Sequence, residues 1–403
     1  MSGSDPFSEL IAPFSRRGVD LGLSRLQKAL AELGHPEQRF AAVQVAGTNG
    51  KGSISTMVHA IASAAGIRSG LYTSPHLLSW CERIRLPQGL IDSSSLQQLL
   101  RDLQPLALRH DLTPFELVTA AAMQAFADAQ LDLVVLEVGL GGRLDATTVH
   151  PRREVLAFAS IGLDHTEHLG PDLAAIAAEK AGVMHAGGCA ISGPQEASAA
   201  HVLMEQAQRH HCDLRWVEPL PPRSAGGPEL GLRGDLQRLN AAVAQGAAEA
   251  LAERGWAIDS TAIATGLRQA RWPGRLEQRR FAGRCLLLDG AHNPPAAAAL
   301  RHELDQSSAG PRRWLIGIQR HKDAAALLHT LIQPGDQVRV MELAEHSCWS
   351  ADELRAVTGL AIAPAADALE DNLSWLVASQ ALPVACGSLY LVATLLPLLE
   401  ATD

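Results

Sequence analysis

Short apolar runs alternate with alanine-rich stretches along most of this chain. The apolar runs carry few polar residues, as strands buried on both faces do, and they lie at 43–46, 133–138, 155–161, 286–288, 314–318 and 384–386. The alanine-rich stretches have the length of helices, and they lie at 56–65, 119–127, 174–181, 241–252 and 296–304. Buried strands that alternate with helices predict an α/β fold with mostly parallel sheets covered on both faces.

Two segments rich in proline and glycine interrupt this alternation. Residues 218–229 (EPLPPRSAGGPE) are interpreted as a surface loop, because residues 232–251 still show a helical pattern that belongs to the same domain. Residues 271–275 (RWPGR) precede a new run of strands and helices, so the domain boundary is placed there. We therefore expect a first α/β domain at 1–271 and a smaller, Rossmann-like α/β domain at 272–403.

The composition is that of a folded protein with a large core. The chain has 403 residues, of which 47% are hydrophobic and 19% are charged, so disorder of the whole chain is excluded. The formal net charge of −9 argues against nucleic acid as a partner, since a general nucleic-acid binder presents a basic face. The six cysteines are scattered and form no C-x-x-C pair, which is typical of a reducing compartment.

Two further segments bear on targeting. The first residues of the sequence show neither the basic nor the apolar region of a signal peptide, so we expect a cytoplasmic protein. Residues 375–399 carry no charge and have the length needed to cross a bilayer. Pro383 and Gly387 interrupt this stretch, so it is interpreted as a helix end, a buried strand and a second helix. No membrane partner is expected.

The strongest chemical signal is the segment 46–53 (AGTNGKGS), which follows one predicted strand and opens a predicted helix. Its glycines allow successive backbone N–H groups to face one concavity that binds phosphate oxygens, and the helix N-terminus adds positive charge. Lys51 can reach terminal phosphates, and the Ser53 hydroxyl can bind Mg²⁺. The segment is not a strict Walker A motif, because Gly52 separates the lysine from the hydroxyl residue. A glycine turn without a ligand is the alternative interpretation.

Polar side chains lie at three other strand ends, at positions suited to Mg-ATP. They are Ser74 in the segment TSPH, Glu137 within an apolar run, and His165 in the segment LDHTEH. Open parallel sheets bind ligands at the carboxyl ends of their strands, and a buried carboxylate is costly unless it binds a cation or forms an ion pair. Together with phosphate oxygens, these groups could complete the coordination shell of Mg²⁺.

Alternatives exist for these residues. Glu137 could form an ion pair with Arg143, and His165 could be a hydrogen-bonded loop histidine. A zinc site at His165, Glu167 and His168 is disfavoured, because their spacing is not that of known zinc motifs and no cysteine is nearby.

Other candidate positions are less specific. Lys180 lies on a helix of small residues, and its pattern alone is that of a surface lysine. Residues 289–294 (DGAHNP), 322–323 and 387–388 follow predicted strands of the second domain. We expect this domain to present strand-end loops of its own to the nucleotide.

Taken together, these motifs resemble those of the folylpolyglutamate synthase/dihydrofolate synthase family, within the Mur ligase superfamily. The matching stretches occur in the family's order between about residue 18 and residue 392, and they are DLGLSRL, VAGTNGKGS, TSPHL, ERIR, TPFE, LEVGLGGRLDAT, GLDH, AEKAG, WPGRLE, DGAHNP and CGSLY. The resemblance implies a P-loop domain like the central domain of Mur ligases, followed by a domain like their C-terminal domain.

The resemblance also implies a reaction. ATP phosphorylates a carboxylate to an acyl phosphate, the amine of L-glutamate attacks it, and ADP and phosphate leave. The implied substrates are L-glutamate, dihydropteroate and reduced folates, the implied cofactors are ATP and Mg²⁺, and we expect a monomer.

Residue roles are carried over by the same resemblance. The implied Mg²⁺ ligands are Ser74, Glu137 and His165. The residues implied to bind ATP are Thr48, Asn49, Gly50, Lys51, Gly52, Ser53, Asn240, Arg275 and Asp289. The pterin end is implied to lie near residues 18–21, 113–116 and 144–146, and its binding residues are Asp20, Leu21, Thr113, Phe115, Glu116, Leu144, Asp145 and Ala146.

The implied catalytic residues are Lys51, His165, Lys180 and His292. His292 and Ser388 match family positions near the glutamate and the phosphoryl group. Lys180 matches a lysine that is carbamylated in the family, where the carbamate helps to hold Mg²⁺, and this replaces the surface interpretation of Lys180.

The sequence departs from the family pattern at two places. Thr148 stands where the family usually has asparagine, and Leu236-Gln237 stands where it usually has His-Gln before Asn240. The first departure is expected to alter hydrogen bonding on the pterin side, and the second removes one polar group near the nucleotide.

Four functions remain open at this point. The chain is expected to be a bifunctional dihydrofolate synthase/folylpolyglutamate synthase, and the alternatives are a folylpolyglutamate synthase alone or a nucleotide-gated binding protein without ligase activity. A peptidoglycan-precursor ligase is disfavoured, because the phosphate loop begins at residue 47 and leaves no room for a preceding UDP-sugar domain.

Overall fold

The computed structural model describes residues 6–17, 20–307, 310–343 and 346–401. The chain forms two compact units. The first contains the chain up to Gly231 and the segment Gln237–Arg271, and the second contains Leu232–Leu236 and the chain from Trp272 onward. The sequence placed residues 232–236 in the first domain. They lie instead with the second unit, where the Leu236 backbone N–H donates to Glu303 Oε1 at 3.0 Å.

The first unit is an eight-stranded sheet flanked by helices. Its strands are β1 Ala41–Ala46, β2 Ser69–Tyr72, β3 Ile84–Leu86, β4 Gly89–Leu90, β5 Leu133–Glu137, β6 Arg153–Phe158, β7 Cys189–Ser192 and β8 Asp213–Trp216. Its α-helices are α1 Ser8–Ile11, α2 Ser24–Glu32, α3 Lys51–Ala64, α4 Ser93–His110, α5 Pro114–Asp128, α6 Thr166–Leu169, α7 Leu173–Ala181, α8 Ala197–His210, α9 Asp235–Glu253, whose first residues belong to the 232–236 segment, and α10 Ser260–Gln269. Short 3₁₀ helices lie at Ala12–Arg17, Pro36–Arg39, Trp80–Arg83, Ala146–Val149 and Arg223–Ala225.

The strand order β4-β3-β2-β5-β1-β6-β7-β8 brings four strand ends together. Strands β2, β5, β1 and β6 are adjacent and parallel, with β1 and β5 wholly buried. Their register aligns Val45 with Glu137, Tyr72 with Leu136, and Ala46 with Phe158. The segments that follow these four strands therefore leave the sheet side by side at one edge.

The second unit contains a seven-stranded sheet of order β13-β12-β11-β14-β10-β9-β15. Its strands are β9 Glu277–Phe281, β10 Arg284–Leu288, β11 Arg312–Ile316, β12 Gln337–Val340, β13 Ile362–Pro364, β14 Leu382–Cys386 and β15 Glu400–Ala401. Its helices are α11 Pro294–Ser307, α12 Ala324–Leu331, α13 Ala351–Thr358, α14 Leu369–Val377 and α15 Leu389–Leu395, with a 3₁₀ turn at Leu396–Leu398. Strands β13, β12, β11, β14 and β10 are parallel, and β9 pairs antiparallel with β10 on one side and with β15 on the other.

The predicted α/β class with mostly parallel sheets is confirmed. Residues 375–399 contain the end of α14, strand β14 and helix α15, as the sequence predicted. Among the described residues, no helix combines the length and the apolar character needed to cross a membrane. The predicted strand 155–161 ends early, at Phe158, because the following Ser160 carbonyl accepts the Thr48 N–H of the phosphate loop at 2.8 Å.

Candidate active site

The phosphate loop between β1 and α3 is fastened to the segment that follows β6. The Ser160 carbonyl accepts the N–H groups of Thr48 and Asn49 at 2.8 and 3.2 Å, and the Ser160 hydroxyl donates to the Asn49 carbonyl at 3.0 Å. Thr48 Oγ1 donates to the Gly162 carbonyl and accepts the Gly162 N–H, both at 3.1 Å. The position of this loop is thus set by backbone and hydroxyl hydrogen bonds to the segment that follows a neighbouring strand.

Helix α3 begins at Lys51, inside the loop. Gly50 precedes it with φ +105°, and a Cβ atom at Gly50 would lie 2.4 Å from Asn240 Oδ1. Gln237 Oε1 accepts the Asn240 amide N–H at 3.0 Å, which fixes this buried side chain beside the loop. The Ser53 hydroxyl is buried and makes no hydrogen bond to any described residue.

Two lysines converge on one carbonyl of the loop. Lys51 Nζ donates to the carbonyls of Gly47 and Thr48 at 3.2 and 3.1 Å, and Lys180 Nζ donates to the Gly47 carbonyl at 2.8 Å. Lys180 is only 4% exposed, so the pattern-based interpretation of a surface lysine is wrong. Burial, aided by the charge of Lys51, lowers the pKa of Lys180 to about 7.

The candidate metal ligands follow the adjacent strands. Glu137 is buried at the end of β5, and its Oε2 accepts the backbone N–H of Ser74, after β2, at 3.3 Å. The guanidinium of Arg143 donates to Glu179 at 2.8 Å, so that arginine is directed to another carboxylate.

His165 lies just beyond the loop segment that follows β6. Its backbone has φ +50°, and its N–H donates to Asp164 Oδ1 at 3.0 Å. Its side chain is 39% exposed, and Glu167 Oε1 lies 3.8 Å from Nδ1, beyond hydrogen-bonding distance. No group of three or more His, Cys, Asp or Glu side chains in the described part of the chain is arranged to hold a metal ion.

The predicted residue Asp145 closes the loop that follows β5. Its Oδ2 accepts the N–H groups of Gly139 and Leu140, both at 3.0 Å. Its Oδ1 accepts the N–H and the hydroxyl of Thr147 at 2.9 and 2.5 Å. Burial raises the pKa of Asp145, and these four donors oppose that rise. Its neighbours in the prediction, Leu144 and Ala146, are half-buried and buried.

Two of the residues predicted near the pterin, Asp20 and Glu116, are joined by Arg25, which the sequence analysis did not single out. Arg25 Nη1 donates to Asp20 Oδ2 at 2.9 Å, and Arg25 Nε lies 3.2 Å from both carboxylate oxygens of Glu116. Glu116 also accepts the N–H of Thr113 at 2.8 Å in the capping box that starts α5. The only earlier sign of this role was the place of Arg25 in the matched stretch DLGLSRL.

Phe115 and Leu21 complete the predicted pterin set. Both side chains are half-buried, and Phe115 packs so closely on the loop that a Cβ atom at Gly139 would lie 2.5 Å from its Cζ. Residues 18 and 19, at the start of the predicted pterin segment, lie outside the described residues.

The second unit holds its predicted residues in strand-end loops. The Asp289 carboxylate accepts the N–H groups of Leu276 at 2.9 Å and Ala291 at 2.8 Å, and burial raises its pKa. Arg275 Nη1 donates to the Gly274 carbonyl at 3.0 Å. These residues therefore belong to one loop system at the start of β9 and the end of β10.

His292 and Ser388 lie in other loops of the same unit. The Gly290 carbonyl accepts a hydrogen bond from His292 Nδ1 at 2.7 Å, which places the proton of the neutral ring on that nitrogen. The Ser388 hydroxyl accepts the Tyr390 N–H at 3.0 Å and caps α15.

Comparison with known proteins identifies the family. The family model described as dihydrofolate synthetase, C-terminal domain, matches residues 276–398. The dihydrofolate synthase/folylpolyglutamate synthase of Escherichia coli (strain K12) is 35% identical over 322 residues, which are 77% of this chain and 75% of that protein. The chain belongs to the folylpolyglutamate synthase/dihydrofolate synthase family.

Solved structures of the family share the fold. The structure of E. coli FolC in complex with DHPP and ADP has a TM-score of 0.85 and 30% identity, covering 98% of this chain and 97% of that one. The bifunctional folylpolyglutamate synthase/dihydrofolate synthase with Mn, AMPPNP and L-glutamate bound has a TM-score of 0.80 and 29% identity, covering 98% of each chain.

The structure explains how the departure from the family at Thr148 is accommodated. The Thr148 hydroxyl accepts from Gln44 Nε2 at 2.8 Å and donates to the Gly142 carbonyl at 2.7 Å. The residue thus supports the loop after β5, where the family usually has asparagine. The other departure from the family is Leu236-Gln237 in place of His-Gln. Gln237 accepts a hydrogen bond from the Asn240 amide, while Leu236 belongs to the second unit.

Replacing Gly47 should disable the phosphate loop. Gly47 has φ +135°, and a Cβ atom there would lie 2.6 Å from the Ala159 Cβ and 2.9 Å from its carbonyl oxygen. We expect Gly47→Ala to weaken ATP binding at least about tenfold, because the loop must leave Ser160. Gly66→Ala is the control, since Gly66 has φ +75° but open space around it. That variant should lose about 1 kcal/mol of stability and keep its ATP affinity. If calorimetry gave Gly47→Ala the same ATP affinity as the wild-type protein, the assignment of this segment as the phosphate loop would be contradicted.

Removing the charge of Arg25 should destabilise the first unit. Arg25→Met leaves the buried Glu116 carboxylate without its cation, at a cost of about 2 kcal/mol in the free energy of unfolding. The double variant Arg25→Met/Glu116→Gln should recover part of that loss, because the buried charge is gone and the Thr113 N–H keeps an acceptor. Urea unfolding measures both values. A double variant as unstable as Arg25→Met would show that the charge of Glu116 is not the cause.

Proposed function

We propose that this protein joins L-glutamate to the carboxylate of dihydropteroate and of reduced folates, using ATP. The observation that carries the proposal is the convergence of Lys51 and Lys180 on the Gly47 carbonyl, beside the buried Glu137 at the next strand end. A glycine loop with the cation of Lys51 at the start of its helix suits the phosphates of ATP. The ligands of related structures, namely ADP with DHPP and AMPPNP with Mn and L-glutamate, support the same substrates here.

The phosphate loop would hold the triphosphate through the backbone N–H groups between Thr48 and Ser53. Lys51 would neutralise charge on the phosphoryl group as it passes from ATP to the substrate carboxylate. The carboxylate oxygen forms a bond to the γ-phosphorus while the bond to ADP breaks. The amine of glutamate then attacks the acyl carbon, loses a proton, and expels inorganic phosphate.

The donor groups at this edge fit a hard divalent cation. The buried Ser53 hydroxyl makes no hydrogen bond to a described residue, and the Glu137 carboxylate lies next to Ser74. Hydroxyl and carboxylate oxygens are the ligands that Mg²⁺ prefers. Ser74, Glu137 and His165 would hold the ion, and Mg²⁺ supplies charge neutralisation at the phosphate oxygens.

Lys180 is proposed to carry a carbamate. Carbamylation requires a neutral amine, which attacks CO₂ and loses a proton. Burial and the lowered pKa near 7 favour the neutral form at physiological pH. Because the pKa of this amine is depressed, its neutral fraction falls as pH falls through about 7, and carbamate formation should fall with it. The resulting anion would remove the repulsion between Lys180 and Lys51.

The residues of the second unit keep the roles that the resemblance gives them. Arg275 and Asp289 are proposed to contact ATP, and His292 and Ser388 to act near the glutamate and the phosphoryl group. The Nδ1–H of His292 is engaged by the Gly290 carbonyl, so Nε2 is the nitrogen that would accept a proton from the attacking amine.

Glutamate-dependent ADP release tests the proposed function. The protein with Mg-ATP and glutamate is incubated with dihydropteroate or tetrahydrofolate, and ADP is measured. Release with both substrates is expected. Release with tetrahydrofolate alone would reduce the function to a folylpolyglutamate synthase. ATP binding without glutamate-dependent ADP release in the presence of either substrate would refute the ligase and support a nucleotide-gated binding protein.

Chemical rescue tests the carbamate. Lys180→Ala should lose at least about 100-fold in kcat, since it lacks both the amine and the carbamate. Acetate or formate should restore part of the activity by supplying carboxylate oxygens in the vacated space. Lys180→Met fills that space with an apolar chain, so small carboxylates should not rescue it. Full activity of Lys180→Ala without additives, or equal rescue of both variants, would contradict the carbamate.

A further inference from the structure

A polar side chain lies in the middle of the most buried strand of the first unit. Strand β1 has the sequence AAVQVA and is buried along its whole length, and Gln44 is fully buried within it. A buried amide in such a place costs free energy unless its donors and acceptor are satisfied. The hydrogen bonds that satisfy Gln44 lead from the strand to the loop that follows β5.

The direction of the Gln44 amide is fixed by a cation. Arg153 Nη1 donates to Gln44 Oε1 at 2.9 Å, and a guanidinium can only donate, so the oxygen of the amide must face Arg153. The amide nitrogen must then face the other way. It donates to Thr147 Oγ1 at 2.9 Å and to Thr148 Oγ1 at 2.8 Å.

The orientation of the Gln44 amide also determines the orientation of the Thr147 and Thr148 hydroxyls. Because each accepts from Gln44, each directs its own proton onward. Thr147 donates to Asp145 Oδ1 at 2.5 Å, and Thr148 donates to the Gly142 carbonyl at 2.7 Å. The chain of donors therefore runs from the Arg153 guanidinium at one end to the Asp145 carboxylate at the other, and its two charged ends favour the same orientation of every member.

The loop that this network supports has close contacts on two sides. Gly139 lies against the Phe115 ring, and a Cβ atom at Gly142 would lie 2.8 Å from the Lys180 carbonyl of α7. Asp145 holds the Gly139 and Leu140 N–H groups of the same loop. A shift of the loop by a fraction of an ångström would therefore change its contact with the Phe115 ring.

We propose that Gln44 and Thr148 are positioning residues that set the loop Gly139–Asp145 for the pterin end of the substrate. The proposal rests on the proposed function, because it takes Phe115, Leu144 and Ala146 as the pterin side. Neither residue needs to touch the substrate. Their effect passes through the Gly142 carbonyl and the Asp145 carboxylate.

Three variants separate this role from general stability. Thr148→Val removes the hydroxyl at nearly constant shape, and Thr148→Ser keeps it. Gln44→Glu keeps the acceptor for Arg153 but replaces the amide donor with an acceptor, so the Thr147 and Thr148 hydroxyls would turn their protons toward position 44. The Gly142 carbonyl and Asp145 would then lose donors.

The readouts are the KM values for the pterin and for ATP, kcat, and the melting temperature of the full chain. Gln44→Glu and Thr148→Val should raise the pterin KM about tenfold while the ATP KM stays within about twofold, and Thr148→Ser should remain near wild type. Because both residues act through one hydrogen-bond chain, the double variant Gln44→Glu/Thr148→Val should raise the pterin KM no further than Gln44→Glu alone.

The failure of this proposal is distinguishable from the failure of the proposed function. A wild-type protein that releases no ADP from ATP with any pterin substrate would refute the proposed function and, with it, the positioning role of Gln44 and Thr148. An active wild-type protein whose Gln44→Glu and Thr148→Val variants keep the wild-type pterin KM would overturn only the positioning role. A rise in the ATP KM equal to that in the pterin KM, or a Thr148→Ser variant as impaired as Thr148→Val, would overturn it as well. If Gln44→Glu does not fold, the two Thr148 variants decide.

Discussion

One backbone carbonyl, that of Gly47, accepts hydrogen bonds from the side chains of two lysines, Lys51 and Lys180. Two ammonium groups within hydrogen-bonding distance of the same oxygen repel one another, and burial strengthens the repulsion. The repulsion is relieved if an anion lies beside them or if one lysine loses its charge. Phosphate and a carbamate on Lys180 are the two proposed ways of meeting that constraint.

Around the two lysines, several backbone segments approach so closely that only glycine fits between them. Gly47 leaves no space for a Cβ atom beside Ala159, and Gly142 and Gly182 let the loop after β5 approach the end of α7, which carries Lys180. Asp145 and Asp289 have comparable tasks in the two units, since each accepts backbone N–H groups of its own loop. These carboxylates therefore organise loops, whatever further contacts they make with ligands.

The sequence predicted the features that are encoded locally. Apolar runs identified the central strands, and glycines next to Lys51 identified the phosphate loop. The roles of Arg25, Gln44 and Lys180 escaped pattern-based reasoning, because each depends on partners distant in the chain. Gln44, for example, bonds to Thr147, 103 positions away. The burial of Lys180 likewise follows from how α7 packs, and only the family resemblance drew attention to it.

The most direct test of the proposed reaction traces one oxygen atom of the substrate carboxylate. If the substrate carboxylate attacks ATP to form an acyl phosphate, one of its oxygens must leave with the phosphate. Dihydropteroate labelled with ¹⁸O in its carboxylate is converted in a single turnover with Mg-ATP and glutamate, and the inorganic phosphate is examined by mass spectrometry. The account predicts phosphate that carries one ¹⁸O atom. Unlabelled phosphate alongside the glutamate product would contradict the acyl-phosphate route.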